Sequence, residues 1–194
     1  QGSLLVYGCG AGSLLVHLAK EERFNKVYGV DISKEAMEAI QNSLESCPTT
    51  LKEKLVLCQP DDTDSLPQTP DGVIDVIVCV ATIEHVLNPY AVLDELYRIA
   101  RLGATLVCSV PNLGYIKHRI GLLAGRLPRT GTDEPIVNWR KAGWDGMHLH
   151  AFTKSAFHEL LVDCGWEPVR WTGWGTRCSW INKLRSRCPG LFSG

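Results

Sequence analysis

The stretch Leu4-Leu5-Val6-Tyr7-Gly8-Cys9-Gly10-Ala11-Gly12-Ser13-Leu14-Leu15 constrains this chain most. Leu4 to Tyr7 is an apolar run that reads as a buried parallel strand. Glycines 8, 10 and 12 then turn the chain tightly. From Ser13 to Glu22, Leu14, Leu15, Leu18 and Ala19 fall at helical spacing. A second apolar strand, Val27 to Val30, ends in Asp31. Glycines let the backbone approach a ligand with no Cβ in the way. The helix N-terminus adds free N–H groups and positive potential, which suits a ligand carboxylate or phosphate. A carboxylate about 20 residues past such a loop, at a strand's C-terminal end, suits two ribose hydroxyls. Together they specify a nucleoside-containing cofactor at the carboxyl edge of a parallel sheet. A purely structural turn accounts for the glycines but leaves Asp31 unexplained.

The dinucleotide version of this loop wants its third glycine at position 13, where Ser13 stands. The pattern is therefore G-x-G-x-G. With Gly29-Val30-Asp31-Ile32-Ser33 and the segments below, it resembles motif I of class I S-adenosylmethionine-dependent methyltransferases. That resemblance implies a doubly wound, mostly parallel Rossmann-like α/β sheet in three αβα layers. The family's strand order is 3-2-1-4-5, continuing to 6. The family usually carries an acid two residues before the first glycine, and here that residue is Val6.

A length of 194 residues fits one domain with a sizeable core. The formal net charge of −1 and 8% aromatic residues do not argue for nucleic acid or disorder. No apolar run reaches the roughly 18 residues a membrane span needs, and no signal peptide is visible. The chain begins almost inside its first strand, which reads as a trimmed terminus, and the C-terminus reads the same way. Eight cysteines without a C-x-x-C pair suggest a reducing, cytoplasmic compartment. Oligomeric state is left open.

Along the chain, Ser33 caps a helix over Lys34 to Ser46, broken at Cys47-Pro48-Thr49-Thr50. Lys54 to Cys58 is a third strand, Gly72 to Val80 a fourth, and Gly103 to Val110 a fifth. Asn88-Pro89 opens the helix between the last two. Tyr115 to Gly125 forms an amphipathic helix, and Arg126 to Trp144 reads as a loop. This insert, at about residues 113–147, has an excess of three positive charges between Tyr115 and Met147. It reads either as a solvated face or as a lid over an acceptor pocket. Thr153 caps a helix over Lys154 to Cys164, and Trp166 to Thr172 alternates as a sixth strand. From Trp174 the pattern dissolves into a basic tail with Arg177, Lys183, Arg185 and Arg187.

The resemblance also implies site residues. Gly8, Cys9, Gly10 and Gly12 form the cofactor loop. Asp31 holds the ribose and Ile32 lies against the adenine. In Asp61-Asp62-Thr63-Asp64-Ser65-Leu66-Pro67, the family's D-x-x-x-L-P pattern selects Asp62 for the adenine amino group, with Thr63 beside it. Val80 closes the set at the end of strand four. The following Ile83-Glu84-His85-Val86 corresponds to a segment that faces the methyl group in the family. It nominates His85 as general base, against a merely structural histidine.

Pro111-Asn112-Leu113-Gly114-Tyr115, Gly125-Arg126-Leu127-Pro128 and His148-Leu149-His150-Ala151-Phe152-Thr153 resemble the MetW-like branch. Ile83 to Val86 resembles UbiG-type O-methyltransferases, within the methyltransferase type 11/12 group. The implied function is methyl transfer from S-adenosylmethionine to a hydroxyl of a small metabolite or sugar. One alternative is a non-catalytic MetW-like regulator of methionine biosynthesis that retains the fold, which Val6 favours. Another is a metal-dependent small-RNA 2′-O-methyltransferase. Those enzymes place a metal on E-x-x-E-H plus a later histidine, and Glu84, His85, His148 and His150 would be the ligands here. Ala81 stands at the first acid of that motif and no basic stripe exists, so neither a metal nor a nucleic-acid partner is expected.

Overall fold

The computed structural model describes residues 2–131, 138–173 and 190. The described residues fall into two compact units, those within Gln1–Thr82 and Asn88–Ser109 and those within Ile83–Leu87 and Val110–Gly194. Asp133, Glu134 and the basic tail from Trp174 to Arg187 lie outside the described residues.

The first unit is a five-stranded, all-parallel sheet in the order β3-β2-β1-β4-β5. Its strands are β1 (Gly2–Tyr7), β2 (Phe24–Val30), β3 (Leu55–Cys58), β4 (Ile74–Val80) and β5 (Ala100–Ser109). Its helices are α1 (Ser13–Ala19), α2 (Lys34–Glu45), α3 (Thr49–Lys54) and α4 (Pro89–Ile99). This is the doubly wound Rossmann-like architecture that the sequence implies. The order reverses direction between β1 and β4. Right-handed crossovers therefore carry α1 and α2 to one face and α4 to the other. Leu4 and Val6 of β1 enter one apolar cluster with Leu15, Ala19, Met37 and Ile40 from α1 and α2. Leu5 and Tyr7 alternate to the opposite face and are equally buried. The carboxyl ends of β1, β2 and β4 thus converge at the switch point, where open α/β sheets bind ligands.

The caps follow their sequence signals. Ser33 Oγ accepts from Ala36 N at 3.1 Å at the start of α2. Asn88 Oδ1 accepts from Tyr90 N and Ala91 N, with Pro89 in the first helical position of α4. The segment from Cys47 does break α2, and Pro48 stands at the N-cap of a further short helix, α3, that the sequence pattern does not predict. α4 runs directly into β5, and Gly103 at φ +81° accommodates the register shift against β4.

The second unit holds α5 (Ile116–Leu123), α6 (Trp139–Ala142), a 3₁₀ turn at Trp144–Met147 and α7 (Lys154–Asp163). Thr153 Oγ1 caps α7 by accepting from Ala156 N at 3.2 Å. The expected sixth strand over Trp166 to Thr172 does not form. Pro168 interrupts the run and removes a ladder donor. Trp171 instead sets its ring against Phe157 and His158 of α7, with centroids 6.2 and 6.1 Å away.

Candidate functional site

The glycine loop is tied to the end of β2. Gly8 N and Cys9 N both donate to the Val30 carbonyl, at 2.8 and 2.9 Å. Gly10 N donates to Asp31 Oδ2 at 2.7 Å, and Ser33 N donates to Asp31 Oδ1 at 3.0 Å. Asp31 therefore fixes both the loop and the start of α2. A carboxylate has about four lone-pair positions, so this one keeps acceptor capacity for ribose hydroxyls. Two glycines are required for different reasons. Gly8 sits at φ +73°, and a Cβ there would lie 2.2 Å from Thr82 Oγ1. Gly10 sits at φ +50° with nothing within 4 Å of an added Cβ, so its bare backbone borders open space. Gly12, at φ +80°, receives the first helical bond from Val16 N. Burial pushes the Cys9 thiol up to about 12, with Asp31 adding to the effect. Cys9 is thus a neutral thiol, and its backbone is engaged by the Val30 carbonyl and by Gly12 N.

Ile32 is 78% exposed beside Asp31, an apolar surface suited to an adenine face. In the loop after β3, Asp61 Oδ1 accepts from Thr63 Oγ1, Thr63 N and Ser65 N. These bonds, the Thr63 hydroxyl first, hold its carboxyl below the usual range. Asp61 is committed to the loop itself. Asp62 is exposed, and Asp64, the third acid of the loop, is half-buried. Thr63 contributes its hydroxyl to Asp61. Val80 ends β4, half-buried and paired with Ser109. Loop, carboxylate and apolar platform fit an adenosine cofactor. Val6 is 2% exposed between Gly29 and Val78, so no acid serves from that position.

The sequence reading missed what holds the Asp62 loop. Glu95, on the inner side of α4, accepts from Leu66 N and from Arg98 Nε and Nη2. Arg98 also reaches the Leu66 and Thr69 carbonyls and Asp71. An acid within an apolar helical stripe, three residues before an arginine, is the signal that could have found them.

The second unit brings together Glu84, His85 and His148, with one donor atom from each within 4.8 Å of the others. Leu149 N and His150 N both donate to the Glu84 carbonyl, at 2.8 and 3.1 Å, and stitch the two segments together. Glu84 is fully buried, and neither carboxylate oxygen has a hydrogen-bond partner among the described residues. Burial pushes its carboxyl up. Burial, and then His85, pulls the His148 imidazole down. The His148 Nε2 to Glu84 Oε1 distance of 4.0 Å counts as an ion-pair separation but is too long for a hydrogen bond. The exposed His85 places Nδ1 3.2 Å from the Met147 carbonyl, with its ring edge-on to His148 at 4.6 Å. His150 stands outside this group, its Nε2 bonded to the Val86 carbonyl at 2.9 Å.

Fold and loop together are those of Rossmann-like methyltransferase domains, whose cofactor is S-adenosylmethionine. The family described as Methyltransferase domain matches residues 1–170, and the chain belongs to it. The chain is similar to an uncharacterised methyltransferase of Schizosaccharomyces pombe, 30% identical over 112 residues, or 57% of this chain and 40% of that protein. It is also similar to a ubiquinone biosynthesis O-methyltransferase of Psychrobacter cryohalolentis, 31% identical over 109 residues, or 56% and 40% of the two chains. The chain thus matches about two fifths of the length of these relatives. Among solved structures, a SAM-dependent methyltransferase from Aquifex aeolicus superposes with a TM-score of 0.64 at 21% identity, over 90% of this chain and 77% of the other. Among the described residues, no helix is long and apolar enough to cross a membrane.

Proposed function

We propose that this chain transfers the methyl group of S-adenosylmethionine to a hydroxyl of a small molecule, a metabolite or sugar, as a UbiG-like or MetW-like enzyme. The observation that carries the reading is Asp31, which orders the loop through Gly10 N and keeps lone pairs for a ribose. A similar protein is named a ubiquinone biosynthesis O-methyltransferase, which supports an oxygen acceptor. The sulfonium cofactor supplies an electrophilic methyl group. The chain's part is to hold the nucleoside with Gly8, Gly10, Asp31, Ile32 and Asp62, to exclude water, and to promote loss of the acceptor's proton. His85 is the residue assigned to that last role, and the insert at about 113–147 is assigned to acceptor selection.

Calorimetry with S-adenosylmethionine, S-adenosylhomocysteine and NAD tests the cofactor assignment. Tight binding of NAD with none of the other two overturns it. With an acceptor found by screening metabolites, sugars and quinol precursors, His85→Ala should bind cofactor normally and turn over about 10²–10⁴-fold more slowly. Full turnover in that variant removes His85 from the mechanism. A second reading, a MetW-like regulator that keeps the fold without catalysis, draws on the buried Val6. Cofactor binding without transfer to any acceptor in the panel favours it.

A further inference from the structure

We propose that Cys79 and Cys108 are a peroxide-oxidisable dithiol, whose reversible disulfide ties the carboxyl ends of β4 and β5 and loosens the hold of the glycine loop on its cofactor. Neither thiol has a part in the function proposed above.

Strand register carries the argument. Tyr7 pairs with Val30 and with Cys79, Val30 pairs with Cys58, and Cys79 pairs with Cys108. These residues form one row across all five strands. Side chains of one row leave a sheet on the same face. Leu4, Val6, Val76 and Val78 pack toward α1 and α2, so Tyr7, Cys79 and Cys108 lie on the opposite face. Cys79 and Cys108 are thus neighbours on adjacent strands, and both are thiols. Adjacent strands lie about 4.8 Å apart. That is inside the roughly 4.4–6.8 Å between Cα atoms that a disulfide spans. Cys58 is three strand spacings from Cys79, roughly 14 Å, and is out of reach. The two Cα–Cβ bonds rise from one face nearly in parallel, so the Cβ atoms also start about 4.8 Å apart. A disulfide wants about 3.5–4.5 Å there. Closure therefore draws the strand ends together and leaves a strained, readily reduced bond.

Burial orders the chemistry. Cys108 lies on β5, at the edge of the sheet among the described residues, and is half-buried. Cys79 is fully buried. Hydrogen peroxide therefore meets Cys108 first. The Cys108 thiolate attacks one peroxide oxygen and the O–O bond breaks. Hydroxide leaves and takes up the thiol's proton as water, and Cys108 becomes a sulfenic acid. The Cys79 sulfur then attacks the Cys108 sulfur. The S–S bond forms as the S–O bond breaks, and the departing hydroxyl takes the Cys79 proton as a second water. Two thiols lose two electrons, and one peroxide becomes two waters.

The strand ends are coupled to the glycine loop. Just beyond the pair, Ala81 N donates to the Ser109 carbonyl at 3.1 Å. Thr82 Oγ1 lies 3.1 Å from the Val80 carbonyl and 3.4 Å from the Tyr7 carbonyl. It also crowds Gly8, where an added Cβ would lie 2.2 Å from it. A shift at Cys79 thus passes through Ala81 and Thr82 to Gly8. Its effect on affinity rests on the cofactor role proposed for Gly8; the disulfide itself does not.

The whole chain is reduced, desalted and treated with hydrogen peroxide, and its remaining thiols are blocked before mass spectrometry. The oxidised protein should lack two thiols and two hydrogens, and peptide mapping should find Cys79 joined to Cys108. Cys108→Ser should form no such link. Cys79→Ala should instead accumulate a Cys108 sulfenic acid that dimedone traps. By calorimetry, S-adenosylhomocysteine should bind the oxidised parent about tenfold more weakly, a usual size for coupling between sites, and dithiothreitol should restore it. Far-UV circular dichroism is the folding control for both variants. Absence of the Cys79–Cys108 link, or a different cysteine pair joined first, overturns the proposal. A link that forms with unchanged S-adenosylhomocysteine affinity overturns its coupling to the loop. A parent that forms the link yet binds no S-adenosylhomocysteine in either state keeps the disulfide and sinks the proposed function.

Discussion

Asp31 has a structural role that its hydrogen bonds show and, in the proposed function, a ligand-binding role in the same side chain. It accepts from Gly10 N and Ser33 N while facing the site. Asp31→Ala should weaken S-adenosylhomocysteine binding by about 1.5–3 kcal/mol, the worth of hydrogen bonds to a charged group. Calorimetry measures this directly, and unchanged affinity would show that the ribose lies elsewhere. Gly8 and Gly10 form a second contrast. Gly8→Ala must place a methyl within 2.2 Å of Thr82 Oγ1 and hold a left-handed backbone. It should cost about 2–3 kcal/mol of stability, read as a lower unfolding midpoint. Gly10→Ala meets no atom within 4 Å, so it should cost only the backbone strain of about 1–2 kcal/mol while obstructing the cofactor. Binding should therefore fail in Gly10→Ala at a milder stability loss. Cys9, Asp31 and both glycines were legible from residue type and spacing. The choice of Asp62 over Asp61 came from the family pattern, and the structure adds a reason to set Asp61 aside, since three hydrogen bonds commit it to its own loop.

At the scale of elements, α4 does more than cover the sheet. Glu95 and Arg98 reach from it to the Leu66 and Thr69 backbone and so hold the loop that carries Asp62. Glu95→Ala strands Leu66 N and releases Arg98. It should destabilise the chain by about 2–3 kcal/mol and weaken cofactor binding as the loop loosens. Chemical denaturation and calorimetry on one sample check both. An effect on stability alone would show that the loop does not touch the cofactor. Helix starts were readable because Ser33, Asn88 and Thr153 each cap within three residues of themselves. The predicted sixth strand failed for the complementary reason. A strand exists only if a partner strand accepts its ladder, and alternation around Pro168 could not reveal that Trp171 packs on α7 instead.

For the molecule as a whole, acid stability follows from two carboxylates on the sheet unit. Bonds from Arg98 hold the Glu95 carboxyl below its ordinary value, and Ser3 N does the same for Asp75. A lowered folded value means that the unfolded chain binds protons first. The stabilisation is therefore complete above the ordinary carboxylate range and is lost as pH falls through the lowered values. The unfolding free energy should change little on account of these groups between pH 6 and 8 and decline below about pH 4.5. Glu95→Gln should flatten that decline, and denaturant titrations across pH measure it. An equally steep decline in Glu95→Gln would assign the acid sensitivity to other groups.

The sequence by itself determined the alternation of strand and helix and the glycine loop between β1 and α1, which follow from local periodicity and glycine spacing. The order of the five strands came with the family resemblance, and the structure shows it. Only the tertiary structure decided which polar groups share a space. Glu84 and His148 are 64 positions apart by numbering, and Thr130, whose hydroxyl bonds the His148 ring, lies 18 positions before it. Their proximity arises because Leu149 N and His150 N donate to the Glu84 carbonyl, a contact that no pattern within either segment encodes.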